Sequence, residues 1–172
     1  MDGENTTLYR DGFHARSVDG RQHPSRSWLA GFHASLAHNI PPGWRICGEN
    51  VYARHAIGYR QLPSYFLGFS VWDEHNRSLS WDRAVEVLEG LGIQAVPVLH
   101  RGRFDVAALG RIARGLDTKR QEGFVVRLAD AFGFDDFDRA VAKWVRKGHV
   151  QTTQHWMQSE IVPNRLAERP SC

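Results

Sequence analysis

Residues 1–16 read MDGENTTLYRDGFHAR, and this stretch sets the frame for the rest of the chain. Asp11-Gly12 is a strong two-residue turn signal flanked by Leu8, Tyr9, Phe13 and Ala15, so residues 6–17 spell a β-hairpin. The period then changes. Residues 25–40, SRSWLAGFHASLAHNI, put Trp28, Leu29, Phe32 and Leu36 on one helical face, with Ser25 or Ser27 as the cap. Pro41-Pro42-Gly43 breaks the chain. WRICGENVYA (44–53) and YFLGFSVWD (65–73) read as buried strands rich in aromatic and β-branched residues, and EHNRS (74–78) as a turn. Residues 80–93 predict a helix capped by Ser80 with Ala84, Val85 and Leu88 inward. QAVPVLH (94–100) is a short strand that Pro97 assigns to an edge, and residues 104–116 predict a second amphipathic helix. EGFVVRLAD (122–130) and RAVAKWVRK (139–147) read as strands joined by a polar loop, FGFDDFD (132–138). Strands interleaved irregularly with helices argue for an α+β fold and against a doubly wound sheet. The expectation is a single domain over residues 1–172, with residues 159–172 as a flexible tail.

The bulk composition limits the function classes. With 42% hydrophobic and 24% charged residues, the 172-residue chain is globular. No apolar run approaches the roughly 20 residues of a membrane span, and the acidic start is not a secretory signal. Cys47 and Cys172 form no CxxC pair, which argues against a structural zinc or a disulfide framework and for a cytoplasmic protein. The net charge of +3 permits a polyanionic partner. Lysine occurs only at Lys119, Lys143 and Lys147; the other cations are arginines, which suit bidentate phosphate contacts. Arg45, Arg54 and Arg60 surround one predicted strand, where they read either as a phosphate-tracking groove or as solvated edge guards.

Four segments combine a strand with glycine and charge: MDGEN, CGENVYARH, EGFVVR and AKWVRK. Singly they are weak. In their order, and together with FSVWD, they resemble the ATP-dependent RNA ligases of the covalent nucleotidyltransferase superfamily, from Met1 to about His155. In that family motif I is Lys-x-Asp-Gly, and Met1-Asp2-Gly3 matches its last three positions. Arg16 matches the arginine that follows the first hairpin. GENVYA is similar to motif III with Glu49 as its acid, and FSVWD to motif IIIa with Trp72 at the base-stacking position. EGFVVR is similar to motif IV with Glu122, and AKWVRK to motif V with Lys143.

The resemblance implies antiparallel sheets with flanking helices around a nucleotide cleft, an ATP-grasp-like nucleotidyltransferase domain. It implies ATP and Mg2+ as cofactors and RNA ends as the other partner. A lysine amine would attack the α-phosphate of ATP, pass AMP to an RNA 5′-phosphate, and a 3′-hydroxyl would then displace AMP. Such chemistry needs positive charge at the phosphoryl centre, for which Lys143, Arg16 and magnesium are the candidates. Glu122 and Asp2 would hold the metal, Glu49 the ribose, and Trp72 the adenine face. Motif V is commonly Lys-x-Lys, but Val145 stands at the third position. Lys147 shares the face of Lys143 by strand alternation and is the expected second phosphate contact.

The motif I lysine would stand immediately before Met1. The sequence therefore leads to the expectation of a motif cut just after its nucleophile, inactive as it stands. Competing readings are a non-catalytic nucleotide- or RNA-binding remnant, a DNA ligase, and a capping-type nucleotidyltransferase. A partner end-healing enzyme is compatible with this reading, no membrane partner is expected, and the sequence leaves the oligomeric state open. Nine histidines form no HExxH or Cys/His quartet; His149, after motif V, is a candidate phosphate contact.

Overall fold

A computed structural model of the chain describes residues 1–16, 26–146 and 161–168. Its centre is an antiparallel sheet whose strands the hydrophobic alternation lays down in order. β1 (Glu4–Leu8) pairs with β2 (Phe13–Ala15) through the Asp11-Gly12 turn, where the Tyr9 N–H donates to the Gly12 carbonyl. On its other side β1 pairs with β3 (Arg45–Asn50), and β3 with β4 (Phe66–Trp72). β5 (Arg77–Ser78) and β8 (Phe132–Gly133) continue the order as β2-β1-β3-β4-β5-β8. β6 (Gln94–Ala95) adds to β4 in parallel, an exception to the expected antiparallel pattern. The expected turn at EHNRS holds over Glu74–Asn76, where Asn76 takes the left-handed conformation that asparagine tolerates, while Arg77 and Ser78 of that stretch form β5.

One face of this sheet is covered by α1 (Ser27–Leu36) and α2 (Trp81–Gly90). Leu8, Ile46, Phe66 and Val71 from the sheet meet Leu29 and Leu36 of α1 and Ala84 and Leu88 of α2. Each fully buried Leu, Ile or Phe side chain contributes roughly 1.5–3 kcal/mol. Ser80 caps α2 as expected, accepting from the Arg83 N–H. At α1 the cap position falls to Arg26, with Ser27 already inside the helix; Ser25 lies outside the described residues. Arg26 instead makes a two-pronged contact with the buried Glu4 carboxylate. α3 (Val106–Gly115) is capped by Asp105 and buries no residue fully.

The second sheet is the two-stranded pair β7 (Gly123–Arg127) and β9 (Val141–Val145). Between them, the stretch predicted as a polar loop forms β8, a 3-10 turn at Phe134–Asp136 and a short helix, α4 (Phe137–Ala140). Its phenylalanines explain the difference, because Phe132 is buried beside Trp72 and Ala140. Arg127 anchors this pair to the main sheet. Its guanidinium donates to the Phe69 and Leu79 carbonyls and the Ser78 hydroxyl, and it lies against the Trp81 and Phe132 rings.

The tail expectation is corrected over residues 161–168. Asn164 is buried, its amide accepting from the Tyr59 N–H and donating to the Val51 and Ala53 carbonyls. Pro163 and Leu166 bridge to Ala53 and Leu62. Buried amides take up such bonds because an unpaired one costs free energy. A segment without periodicity is thereby fastened across the loop that follows β3.

Candidate active site

Between the helix-free face of the main sheet and the β7–β9 pair, residues from four separate segments converge. β1 is led in by Asp2 and Gly3. The Gly3 N–H donates to Glu49 Oε1 at 3.1 Å. Only glycine permits this approach, since a Cβ at position 3 would lie 2.4 Å from the Asn50 carbonyl oxygen. Glu49 belongs to β3, where Glu49 pairs with Asn5, and the Arg16 N–H donates to the Asn5 carbonyl. Arg16, Asn5 and Glu49 thus form one row across three strands, with Arg16 exposed at its end.

Glu122 precedes β7, and Lys143 lies in β9. Lys143 Nζ is 3.9 Å from Glu122 Oε1. The lysine side chain is 61% exposed and the glutamate 13%, so the cation faces open space while the carboxylate backs it. Lys143 shares its strand face with Val141, which packs against the Trp72 cluster on the main sheet; that face therefore looks across the cleft. Gly123 holds the two strands together closely, since a Cβ there would lie 2.1 Å from the Trp144 carbonyl oxygen.

The site carries perturbed ionisation. Desolvation raises the Glu49 carboxyl to about 7. The Met1 amine, the Gly3 N–H and Lys143 oppose that rise, and the Glu122 carboxylate adds to it. Burial also holds the Tyr59 phenol above its ordinary range and pushes the His55 imidazole below its own. Two carboxylates and a lysine acting on one another in a partly dry cleft are the kind of arrangement that enzymes use.

Asp2, the other expected metal ligand, is turned into the protein. It is buried, its carboxylate accepting from the Ile57 N–H at 2.8 Å and lying 4.0 Å from His55 Nδ1. Its own N–H donates to the Tyr59 hydroxyl. Asp2 is a latch between β1 and the 55–59 loop, with a carboxylate committed to protein partners. The expectation that it joins Glu122 on magnesium is not met by this geometry.

Trp72 also departs from its expected role. It is 4% exposed, with its indole N–H donating to the Ser70 hydroxyl. Phe132, Phe134 and Phe137 surround the ring, and the Arg45 guanidinium lies 4.6 Å above it. It pairs with Arg45, four residues and roughly 13 Å along β3 from Glu49. The residue missed by sequence reasoning is Phe69. The β3–β4 register shifts between Cys47 and Gly48, which pair with Ser70 and Gly68 and leave Phe69 unpaired at a bulge. Gly68 lies against Leu88 on the helix-covered face and Phe69 is not among the side chains packed there, so half-buried Phe69 is assigned with Leu67 and Ser70 to the cleft face. Replacing Phe69 with alanine is expected to raise the ATP concentration for half-saturation roughly tenfold with little loss of stability. Trp72→Phe should leave nucleotide affinity within twofold and lower stability by about 1–2 kcal/mol. Titration with a fluorescent ATP analogue and thermal melting separate the two; the reverse pattern would return the stacking role to Trp72.

Lys147, His149 and His155 lie outside the described residues. Among the described residues, no group of three or more His, Cys, Asp or Glu side chains is arranged to hold a metal. Among the same residues, no helix is long and apolar enough to cross a membrane.

The RNA ligase family model matches residues 1–145, most of the chain. The chain belongs to the RNA ligase family. No curated protein and no solved structure matches it significantly.

Proposed function

We propose that this domain catalyses adenylyl transfer to RNA ends: an ATP-dependent, magnesium-assisted RNA ligase acting through a lysyl-AMP. The observation that supports it most is the meeting of Gly3, Glu49, Glu122 and Lys143 from four segments in one cleft. In that reaction a lysine amine forms a nitrogen–phosphorus bond to the α-phosphorus, pyrophosphate leaves, and the amine gives up its proton. The RNA 5′-phosphate oxygen then displaces the lysine, and a 3′-hydroxyl displaces AMP to seal the strand. The Met1 amine acts electrostatically on Glu49, which puts the start of the chain near that carboxylate.

Each side chain has a task. Lys143 neutralises charge that builds on the α-phosphate, where a donor in a dry site is worth most. Glu49 accepts from the ribose hydroxyls. Phe69 offers its face to the base. Arg16, exposed at the end of its row, and Lys147 are further candidates for phosphate contact. Magnesium takes oxygen ligands and keeps several waters, so one carboxylate plus phosphate oxygens suffices, and Glu122 fits that part. Bound there, the ion would add positive charge over the phosphates.

The test is labelling. The chain as it stands and a chain extended by a lysine and a preceding strand are incubated with α-labelled ATP and magnesium, then denatured. Label is expected on the extended chain alone. Label on the shorter chain would remove the lysine from this account, and label from GTP but not ATP would favour a capping-type enzyme.

A further inference from the structure

A cavity of about 510 Å³ lies beside the 55–59 loop. The loop after β3 and the segment 161–168 form it, and its lining includes Arg54, Tyr59, Arg60, Lys119, Asn164 and Arg165. Four of these are cations, and among the described residues no carboxylate lines it. Among the described residues, none of Arg54, Arg60, Lys119 and Arg165 has an ion pair. Like charges gathered without an anion repel one another, and a bound anion offsets that cost.

The backbone behind the arginines is tied down by hydrogen bonds. The Arg165 N–H donates to the Tyr59 carbonyl, the Leu62 N–H to the Arg165 carbonyl, and the Arg54 N–H to the Val162 carbonyl. Buried Asn164 ties the Tyr59 N–H to the Val51 and Ala53 carbonyls. The arginines therefore start from an ordered backbone. Arg45, the third arginine of the expected groove, is elsewhere, over the Trp72 ring.

Two features point to a chain of phosphates rather than a single anion. The cations are spread around a cavity larger than one phosphate. A second depression of about 430 Å³ shares Arg60 and Arg165 and runs on toward Leu166 and Ala167, with Glu168 among its lining residues. The cavity also touches the candidate site through one side chain, because Tyr59 lines it while its hydroxyl accepts from the Asp2 N–H. A strand held here would lie one side chain from the start of β1.

We infer that this cavity binds the phosphodiester backbone of the RNA strand whose end enters the cleft, with Arg54, Arg60, Lys119 and Arg165 as its phosphate contacts. The inference rests on the RNA-joining reading above and deepens it by naming where the strand lies.

The experiment measures binding of a 3′-fluorescein RNA of about 12 nucleotides to the full chain by anisotropy, from about 50 to 200 mM salt. Lys119→Glu/Arg165→Glu is expected to weaken binding at least thirtyfold. The milder Lys119→Ala/Arg165→Ala should make the log–log salt slope shallower by about 1 to 1.5, as two lost single-strand phosphate contacts require. Melting temperatures of all variants are measured alongside, so that binding is compared only between folded proteins; the alanine pair carries the test if the reversal does not fold. Arg83→Glu, on α2 across the main sheet, controls for net charge and should weaken binding less than threefold. RNA binding unchanged in the folded double variants, or lowered equally by Arg83→Glu, would overturn the inference. So would absence of RNA binding by the unaltered chain. Displacement of RNA by pyrophosphate or AMP at matched phosphate concentration would reduce the site to a single-phosphate pocket. Equal affinity for poly-glutamate would assign it to an acidic protein. The labelling assay needs no RNA, so failure of the ligase reading and failure of this one are told apart.

Discussion

Lys143→Ala, made in the lysine-extended chain, is expected to lower transfer of labelled AMP to protein by about 10²–10³-fold, the usual cost of removing one charge-stabilising donor. The side chain is exposed toward the cleft and only loosely tied to Glu122, at 3.9 Å. The pair is long and its lysine is open to solvent, although Glu122 is largely buried, so losing it should cost about 1 kcal/mol and lower the melting temperature by about 2–4 °C at most. Loss of rate without loss of fold is the signature of a charge acting on the reacting phosphate. Lys143→Arg keeps the charge but replaces a compact ammonium with a planar fork, and should recover only part of the rate. The decisive measurement is the initial rate of alkali-stable, acid-labile label on the protein at saturating ATP. A Lys143→Ala protein labelled at the unaltered rate would leave Lys143 as no more than a partner for Glu122.

Much of this site was legible because the family's motifs are local. MDGEN, GENVYA, EGFVVR and AKWVRK each carry their chemistry within a few residues, and hydrophobic alternation put each on or beside a strand. The hairpin followed from Asp11-Gly12, and α2 from Ser80 and its apolar stripe. What escaped was long-range. Trp72 and Phe69 both lie on β4, and alternation alone does not choose between them. The choice depends on a bulge against β3, a property of two strands together. Asp2 reads as an open acid until the 55–59 loop folds onto it, fifty-five residues away at Ile57. Asn164 sits in a stretch without periodicity, and its role comes from carbonyls it meets at Val51 and Ala53. Arg127 reads as a solvated strand end, yet it holds one sheet to the other through carbonyls that no local pattern announces.

Glu49→Gln is expected to make the protein more stable and less active. Desolvation raises the native carboxyl from 4.5 to about 7. Between those values the native state binds more protons than the unfolded chain, so stability falls as pH rises through the window and levels off above it. A shift of that size corresponds to roughly 3 kcal/mol lost by pH 8. Glutamine keeps an oxygen for the Gly3 N–H and carries no charge to desolvate. At pH 8 the variant should therefore melt roughly 6–12 °C above the unaltered protein, and at pH 4 the two should coincide. Its catalytic rate should fall about 10–100-fold, because a neutral amide is a weaker acceptor for ribose hydroxyls than a carboxylate. The two effects have one cause: a carboxylate kept dry near Glu122 costs the fold and serves the substrate. Melting curves from pH 4 to 8, paired with labelling rates of the lysine-extended chain, test both halves. Equal stabilisation at pH 4 and pH 8 would mean that packing, and not ionisation, sets the effect. Unchanged labelling would remove Glu49 from the nucleotide site.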